Sequence, residues 1–161
     1  MLKPMMKYLL KIWRVLPLWV HIFGARVIRP RFQVAVAAIV FDEHGHILLF
    51  KHTYRKLEWG IPAGSLEHSE SPEDAVIREF REETGMQIQV ERLLTAISAK
   101  ENDHVSLIYL CRIVGGEFKP TFEIAEIRYF NLNDLPAMLF TEKELIKQIS
   151  KKMMAANYEL A

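Results

Sequence analysis

The chain has 161 residues, 50% of them hydrophobic and 25% charged, with a formal charge of +1. That length and balance suit one globular domain and exclude both a disordered chain and a strongly polyanion-seeking one. One cysteine excludes an internal disulfide, and Cys111 sits in the apolar run Val105 to Val114, so it reads as a small core residue of a reducing, cytoplasmic compartment.

The near-neutral total hides an asymmetry. Residues 1–35 carry Lys3, Lys7, Lys11, Arg14, Arg26, Arg29 and Arg31 and no acid. The longest charge-free stretch there, Val15 to Ala25, is too short to span a bilayer and contains Pro17 and His21. Three readings stay open for residues 1–30: a cleaved leader, a peripheral membrane-surface helix with Trp13, Trp19 and Phe23 among the cations, or a helix that covers the domain or makes a homodimer contact. The apolar content fits packing better than nucleic-acid binding, so no nucleic acid is expected as a partner. Pro30 should end this first helix, and residues 31–161 form the main domain.

Phe32 to Phe41 and His46 to His52 are β-branched and aromatic runs separated by Asp42-Glu43-His44-Gly45, which predicts a hairpin. A short extended piece follows at Trp59 to Ile61. Ser71 as N-cap, Pro72 at the first helical position, acids in the first turn and Gly85 at the end predict a helix over Pro72 to Thr84. Gln87 to Ala99 and His104 to Val114 form another antiparallel pair, and Ile124 to Phe130 one more strand. Thr141 to Glu144 has the spacing of a capping box and opens a last helix to about Ala155. Strands interrupted by one helix and closed by another predict an α/β fold with a mixed sheet between helices.

The segment between Gly64 and Met86 carries the chemistry. Gly64, Glu70, Arg78, Glu79, Glu82, Glu83 and Gly85 stand at fixed spacing, with apolar Phe80 and Met86. Seven specified residues at roughly 7% usage meet such a spacing by chance on the order of once in 10⁸ windows. On a helix Glu79, Glu82 and Glu83 are at i, i+3 and i+4 and share one face, while Val76, Ile77 and Phe80 form a neighbouring apolar arc. Three close carboxylates repel one another, and a divalent cation resolves the conflict; oxygen ligands suit Mg²⁺, or Mn²⁺ in its place. Arg78, one turn before Glu82, can hold a carboxylate with its planar guanidinium. The six histidines have no zinc-ligand spacing.

This array resembles the box of the Nudix (MutT-like) hydrolases at every fixed position, over a domain of roughly Phe32 to Pro136. The resemblance implies an α/β/α sandwich with a mixed β-sheet, to which the N-terminal helix is an addition. It also implies Mg²⁺-dependent hydrolysis of a diphosphate linkage in a nucleoside di- or triphosphate, or in a nucleoside diphosphate joined to another group. By the same resemblance Glu79 and Glu83 are metal ligands, Glu82 a further one, the carbonyl of Ala63 before Gly64 another, and Glu70 an orienting partner. The general base is left open between Glu79 and Glu123, with Glu126 as competitor of the latter. In the run His52-Thr53-Tyr54-Arg55-Lys56 that follows a strand, Arg55 is the first choice for a diphosphate contact and Tyr54 a second for stacking, with ordinary loop positions as the alternative for both. The proline expected in many ADP-ribose pyrophosphatases falls at Asn102, which leans away from that substrate. Two other classes share the fold: a nucleotide sensor or scaffold without turnover, which the complete acidic set disfavours, and an isoprenoid diphosphate isomerase, for which Cys111 lacks a suitable setting.

Overall fold

Strand β1, Gln33–Val40, and strand β2, Ile47–His52, are apolar on both faces, and Val36 to Val40 and Ile47 to Phe50 are buried without interruption. Such strands need cover on each side. In the computed structural model, which describes residues 14, 16–20, 32–99 and 103–158, a helix supplies each cover. The chain divides into two units, Met1–Arg31 and Phe32–Ala161. In the first, residues 18–20 are helical, with Val20 N donating to Pro17 O at 2.9 Å. Arg14 is helical as well, and beyond residues 14 and 16–20 the expected N-terminal helix, Pro30 included, lies outside the described residues. Among the described residues no helix is long and apolar enough to cross a membrane.

The second unit continues with β3 (Trp59–Gly60), β4 (Ala63–Ser65), α1 (Pro72–Thr84), β5 (Gln87–Ala99), β6 (His104–Gly115), β7 (Ile124–Phe130) and α2 (Phe140–Tyr158). The strands make a four-stranded sheet in the order β4-β1-β6-β5 and a three-stranded sheet in the order β3-β2-β7. The first is mixed, because β1 runs parallel to β6 and antiparallel to β4. Odd and even residues then face different helices. Val36, Ala38 and Val40, with Phe50, Tyr109 and Cys111, pack with Ala75, Val76 and Phe80 of α1. Ala37, Ile39, Ile47, Leu49 and Ile108 pack with Ile146 and Ile149 of α2. Each fully buried large side chain stabilises the fold by about 1.5–3 kcal/mol. The result is the α/β/α sandwich, with Cys111 in its core and its thiol pushed up to about 12 by burial and the nearby charge of Glu91.

Two expectations need correction. The turn between β1 and β2 forms, with the Asp42 carboxylate accepting from His44 N and His46 N and Gly45 at φ +77°. The strands do not continue as a hairpin, however. Only Phe41 and Ile47 bridge across the turn, and β1 and β2 then join different sheets. A strand has two hydrogen-bonding edges; those of β1 are taken by β4 and β6 and those of β2 by β3 and β7, which leaves none for a β1–β2 ladder. The capping box at Thr141 is also absent: α2 starts at Phe140, Lys143 N donates to Leu139 O, and Glu144 pairs with Lys147. Thr141 therefore lies inside the first turn, and the helix runs past Ala155 to Tyr158.

Helix α1 has the expected bounds. Ser71 is extended and its Oγ accepts from Asp74 N at 3.1 Å, Pro72 follows, and Gly85 takes φ +73° while its N–H donates to Arg81 O. A substitution of Ser71 by Ala at such a cap costs about 1 kcal/mol.

Candidate active site

The β4 strand runs beside α1, so that the segment from Ala63 to Ser65 faces the acidic side of the helix. Gly64 is where this closeness is most demanding: a Cβ there would lie 2.0 Å from Cδ of Glu79. Ser65 N, next along, donates to Glu79 Oε1 at 3.0 Å. The glycine thus permits the backbone to grip the glutamate directly.

Arg78 organises the flank. Its Nη2 donates to Glu70 Oε1 at 2.8 Å and to Ser65 O at 3.0 Å, and its Nε to Glu70 Oε2 at 3.1 Å. Its Nη1 lies 3.0 Å from Glu79 Oε1 and 3.3 Å from Glu82 Oε2. The bidentate bond from Arg78, joined by Glu67 N, holds the Glu70 carboxyl below its ordinary range, and the guanidinium is pushed above its own. Glu70 and Arg78 therefore orient ligands.

The three glutamates of α1 divide. Glu82 is 57% exposed with Arg78 as its ion-pair partner, whereas Glu83 is only 8% exposed. Glu83 Oε2 is buried with no hydrogen-bond partner among the described residues. Burial, then the charges of Glu79 and Glu123, push the Glu83 carboxyl up to about 8, with Arg55 opposing. The charges of Glu123 and Arg55 thus both act on Glu83. Glu126, by contrast, lies on β7 in an ion pair with Arg128.

Arg55 comes from the loop between β2 and β3. Its Nη1 is 3.4 Å from Glu142 Oε1, and its guanidinium carbon is 5.7 Å from the ring centre of Tyr54. Tyr54 is 64% exposed and meets His52 edge-on. His52 and Glu142 are additions to the sequence reading. His52 is 1% exposed, neither ring nitrogen has a partner among the described residues, and burial, then Arg55, brings its pKa down to about 4. Glu142 accepts from Ile61 N at 3.2 Å as well as pairing with Arg55. Its spacing from Thr141 and Glu144 pointed to a cap, and nothing local signals a partner 87 residues away.

Among the described residues no three carboxylate, imidazole or thiol groups converge as a cage for an ion. Arg78 and Ser65 N draw Glu70, Glu79 and Glu82 toward themselves. The donor chemistry nevertheless fits a hard divalent cation: a buried, unpartnered carboxylate oxygen on Glu83 stands beside a second carboxylate, against a strand that passes without a side chain at Gly64.

The family model of the NUDIX domain matches residues 31–154. The chain belongs to the Nudix family. As a Nudix hydrolase it is 35% identical over 120 residues to the ADP-ribose pyrophosphatase of Methanocaldococcus jannaschii, covering 71% of this chain and 70% of that one. Among solved structures it is similar to an ADP-ribose pyrophosphatase of Streptococcus suis, at 28% identity and TM-score 0.65 over 77% of this chain and 91% of that one. The NUDIX domain of Shewanella oneidensis NrtR, complexed with ADP ribose, shares the fold at 19% identity and TM-score 0.62, covering 80% and 92% of the respective chains.

Proposed function

We propose that this Nudix enzyme hydrolyses the phosphoanhydride bond of a nucleoside diphosphate joined to a second group, with ADP-ribose as the first substrate to test. Nucleoside di- and triphosphates are the wider class. The unpartnered buried carboxylate of Glu83, on which the charges of Glu79 and Glu123 act, carries the reading, because a buried charge of this kind is costly until it is compensated. The ADP-ribose pyrophosphatases at 35% and 28% identity support the choice of substrate and outweigh the position of Asn102, which lies outside the described residues.

Glu79, Glu83 and the carbonyl of Ala63 would hold a divalent cation, Mg²⁺ or in its place Mn²⁺, with Glu82 as a further ligand. When bound, such an ion neutralises charge on the nonbridging phosphate oxygens and helps align the attacking water. The protein's own groups do the rest. Arg55 donates to the diphosphate with the forked geometry that suits phosphate oxygens. Tyr54, exposed beside it, offers a face on which a base can stack. Arg78 and Ser65 N fix the Glu79 carboxylate, and Arg78 also locks Glu70 and Ser65 O into one rigid corner. Glu123, whose charge acts on Glu83 from the segment before β7, accepts the proton of the attacking water; the Glu79 oxygen that Ser65 N and Arg78 leave free would be committed to the cation. One phosphorus–oxygen bridge bond breaks as the water oxygen bonds to phosphorus, and two phosphate monoesters leave.

The enzyme is read as cytoplasmic, on the single buried thiol, and the basic N-terminal segment as its candidate contact with an anionic membrane surface or a second copy. The test is a panel of ADP-ribose, dinucleotides and nucleoside triphosphates with and without Mg²⁺, with products separated by ion-exchange chromatography. Metal-dependent turnover of ADP-ribose, lost in Glu123→Gln, is the expected outcome. No turnover of any compound in Mg²⁺ or Mn²⁺ would refute the proposal.

A further inference from the structure

We propose that Glu142 is a positioning residue for the substrate's diphosphate: from the first turn of α2 it holds the Arg55 guanidinium over Gly60 and pins the junction that leads to Gly64. The inference rests on the hydrolase reading above and names the group that sets its anion contact.

One carboxylate performs both tasks. Glu142 Oε1 lies 3.4 Å from Arg55 Nη1, and Glu142 Oε2 accepts from Ile61 N at 3.2 Å. Ile61 opens the run Ile61-Pro62-Ala63-Gly64, in which Pro62 O accepts from Ala38 N of β1. The Glu142 contact therefore ties α2 to the backbone that enters β4, one step before the atoms proposed to face the substrate. Gly60 forms the seat. A Cβ on Gly60 would lie 2.8 Å from Arg55 Nη1 and 2.9 Å from Glu142 Oε2, so the pair rests on bare backbone that only glycine provides. His52 Nε2 is 3.3 Å from the same point and walls the seat from behind.

The geometry is that of a tether rather than of a consumed ion pair. At 3.4 Å the contact is longer than the 2.7–2.9 Å of a tight charge-assisted bond, and a guanidinium has five N–H donors. Arg55 thus keeps donors free for an incoming diphosphate while its long chain is already ordered. An unrestrained arginine would lose that rotamer freedom on binding and weaken the complex. The competing role, anchorage of α2 alone, predicts loss of stability without loss of anion affinity.

The test measures binding of inorganic pyrophosphate in the presence of Mg²⁺ by titration calorimetry, with melting temperatures recorded for every variant. Arg55→Ala and Glu142→Gln should each weaken affinity about tenfold, on the scale of one lost charge-assisted contact. The double variant should be no weaker than Arg55→Ala alone, because Glu142 acts through Arg55. With ADP-ribose, Glu142→Gln should raise KM by a similar factor and leave kcat within about twofold. Should Glu142→Gln fail to fold, Gly60→Ala intrudes on the seat without removing either charge, and the same loss of affinity is expected. Unchanged affinity in Glu142→Gln, full additivity in the double variant, or no binding by the wild type overturns the assignment, even in an active enzyme. Pyrophosphate binding that falls as expected in a protein without turnover would sink the hydrolase reading and leave this one standing.

Discussion

Replacing Glu83 by glutamine should stabilise the metal-free protein, and by more at high pH than at low. The folded carboxyl titrates at about 8 against 4.5 for the ordinary group, through burial and then the charges of Glu79 and Glu123. The sign follows from proton counting. Between those two values the folded state holds a proton that the unfolded state has released, so stability falls as pH rises through the window. By linkage the penalty is about 1 kcal/mol at pH 5 and about 3 kcal/mol at pH 7, levelling off above pH 8. Glutamine keeps the shape without the charge. Urea unfolding of wild type and Glu83→Gln without divalent ions, at pH 5 and pH 7, should therefore show a stability gap that widens by about 2 kcal/mol, a shift readily resolved from the midpoints. Mg²⁺ added at pH 7 should close the gap by raising the wild type alone, by mass action on its folded state. A gap of equal size at both pH values would refute the reasoning, because the Glu83 carboxylate would then carry no burial penalty for a cation to relieve.

Three further outcomes test the corner around β4 and the choice of base. Gly64→Ala, whose Cβ would lie 2.0 Å from Glu79 Cδ, should cost about 1–3 kcal/mol of overpacking and at least tenfold in kcat for ADP-ribose; near-normal activity would show that Glu79 can move freely. Arg78→Lys keeps one positive charge and loses the fork that grips Glu70 and Ser65 O, so activity should fall about tenfold or more while the protein stays folded by circular dichroism. Glu126→Gln, on β7 and paired with Arg128, should leave turnover within about twofold, whereas Glu123→Gln should not. Equal losses in the two would remove Glu123 from the role of base.

What was legible in the sequence is what is encoded locally. Ser71, Pro72 and Gly85 lie next to the ends of α1 that they specify, so the expected and observed bounds coincide. Strand positions in β5 and β7 were equally readable from their apolar content. Partnership between strands was not. The parallel pairing of β1 with β6, Val36 opposite Leu107, joins segments far apart in the chain, and the hairpin pattern at Asp42 to Gly45 said nothing about two sheets. The site divides in the same manner. Its half on α1 was visible as spacing, while the effect of the Glu123 charge on Glu83 and the tether from Arg55 to Glu142 exist only after the sheets have assembled. Thr141 to Glu144 shows the cost of reading a local pattern alone, since Glu142 faces the site and Glu144 turns to Lys147.

The division of labour among the three glutamates follows from the helical wheel once the buried arc is included. At about 100° per residue, Glu83 lies roughly 40° from Glu79 on the side of Val76 and Phe80, and Glu82 roughly 60° away on the side of Arg78. Val76 and Phe80 are in the core, so Glu83 is drawn under the strand while Glu82 is left at the surface with its arginine. A shared face is therefore not a shared environment. Substituting Glu82 should remove a solvated group and substituting Glu83 a desolvated one, so at pH 7 without divalent ions Glu83→Gln should stabilise the fold more than Glu82→Gln. A gain in Glu82→Gln as large as that in Glu83→Gln, read from urea midpoints, would contradict this account.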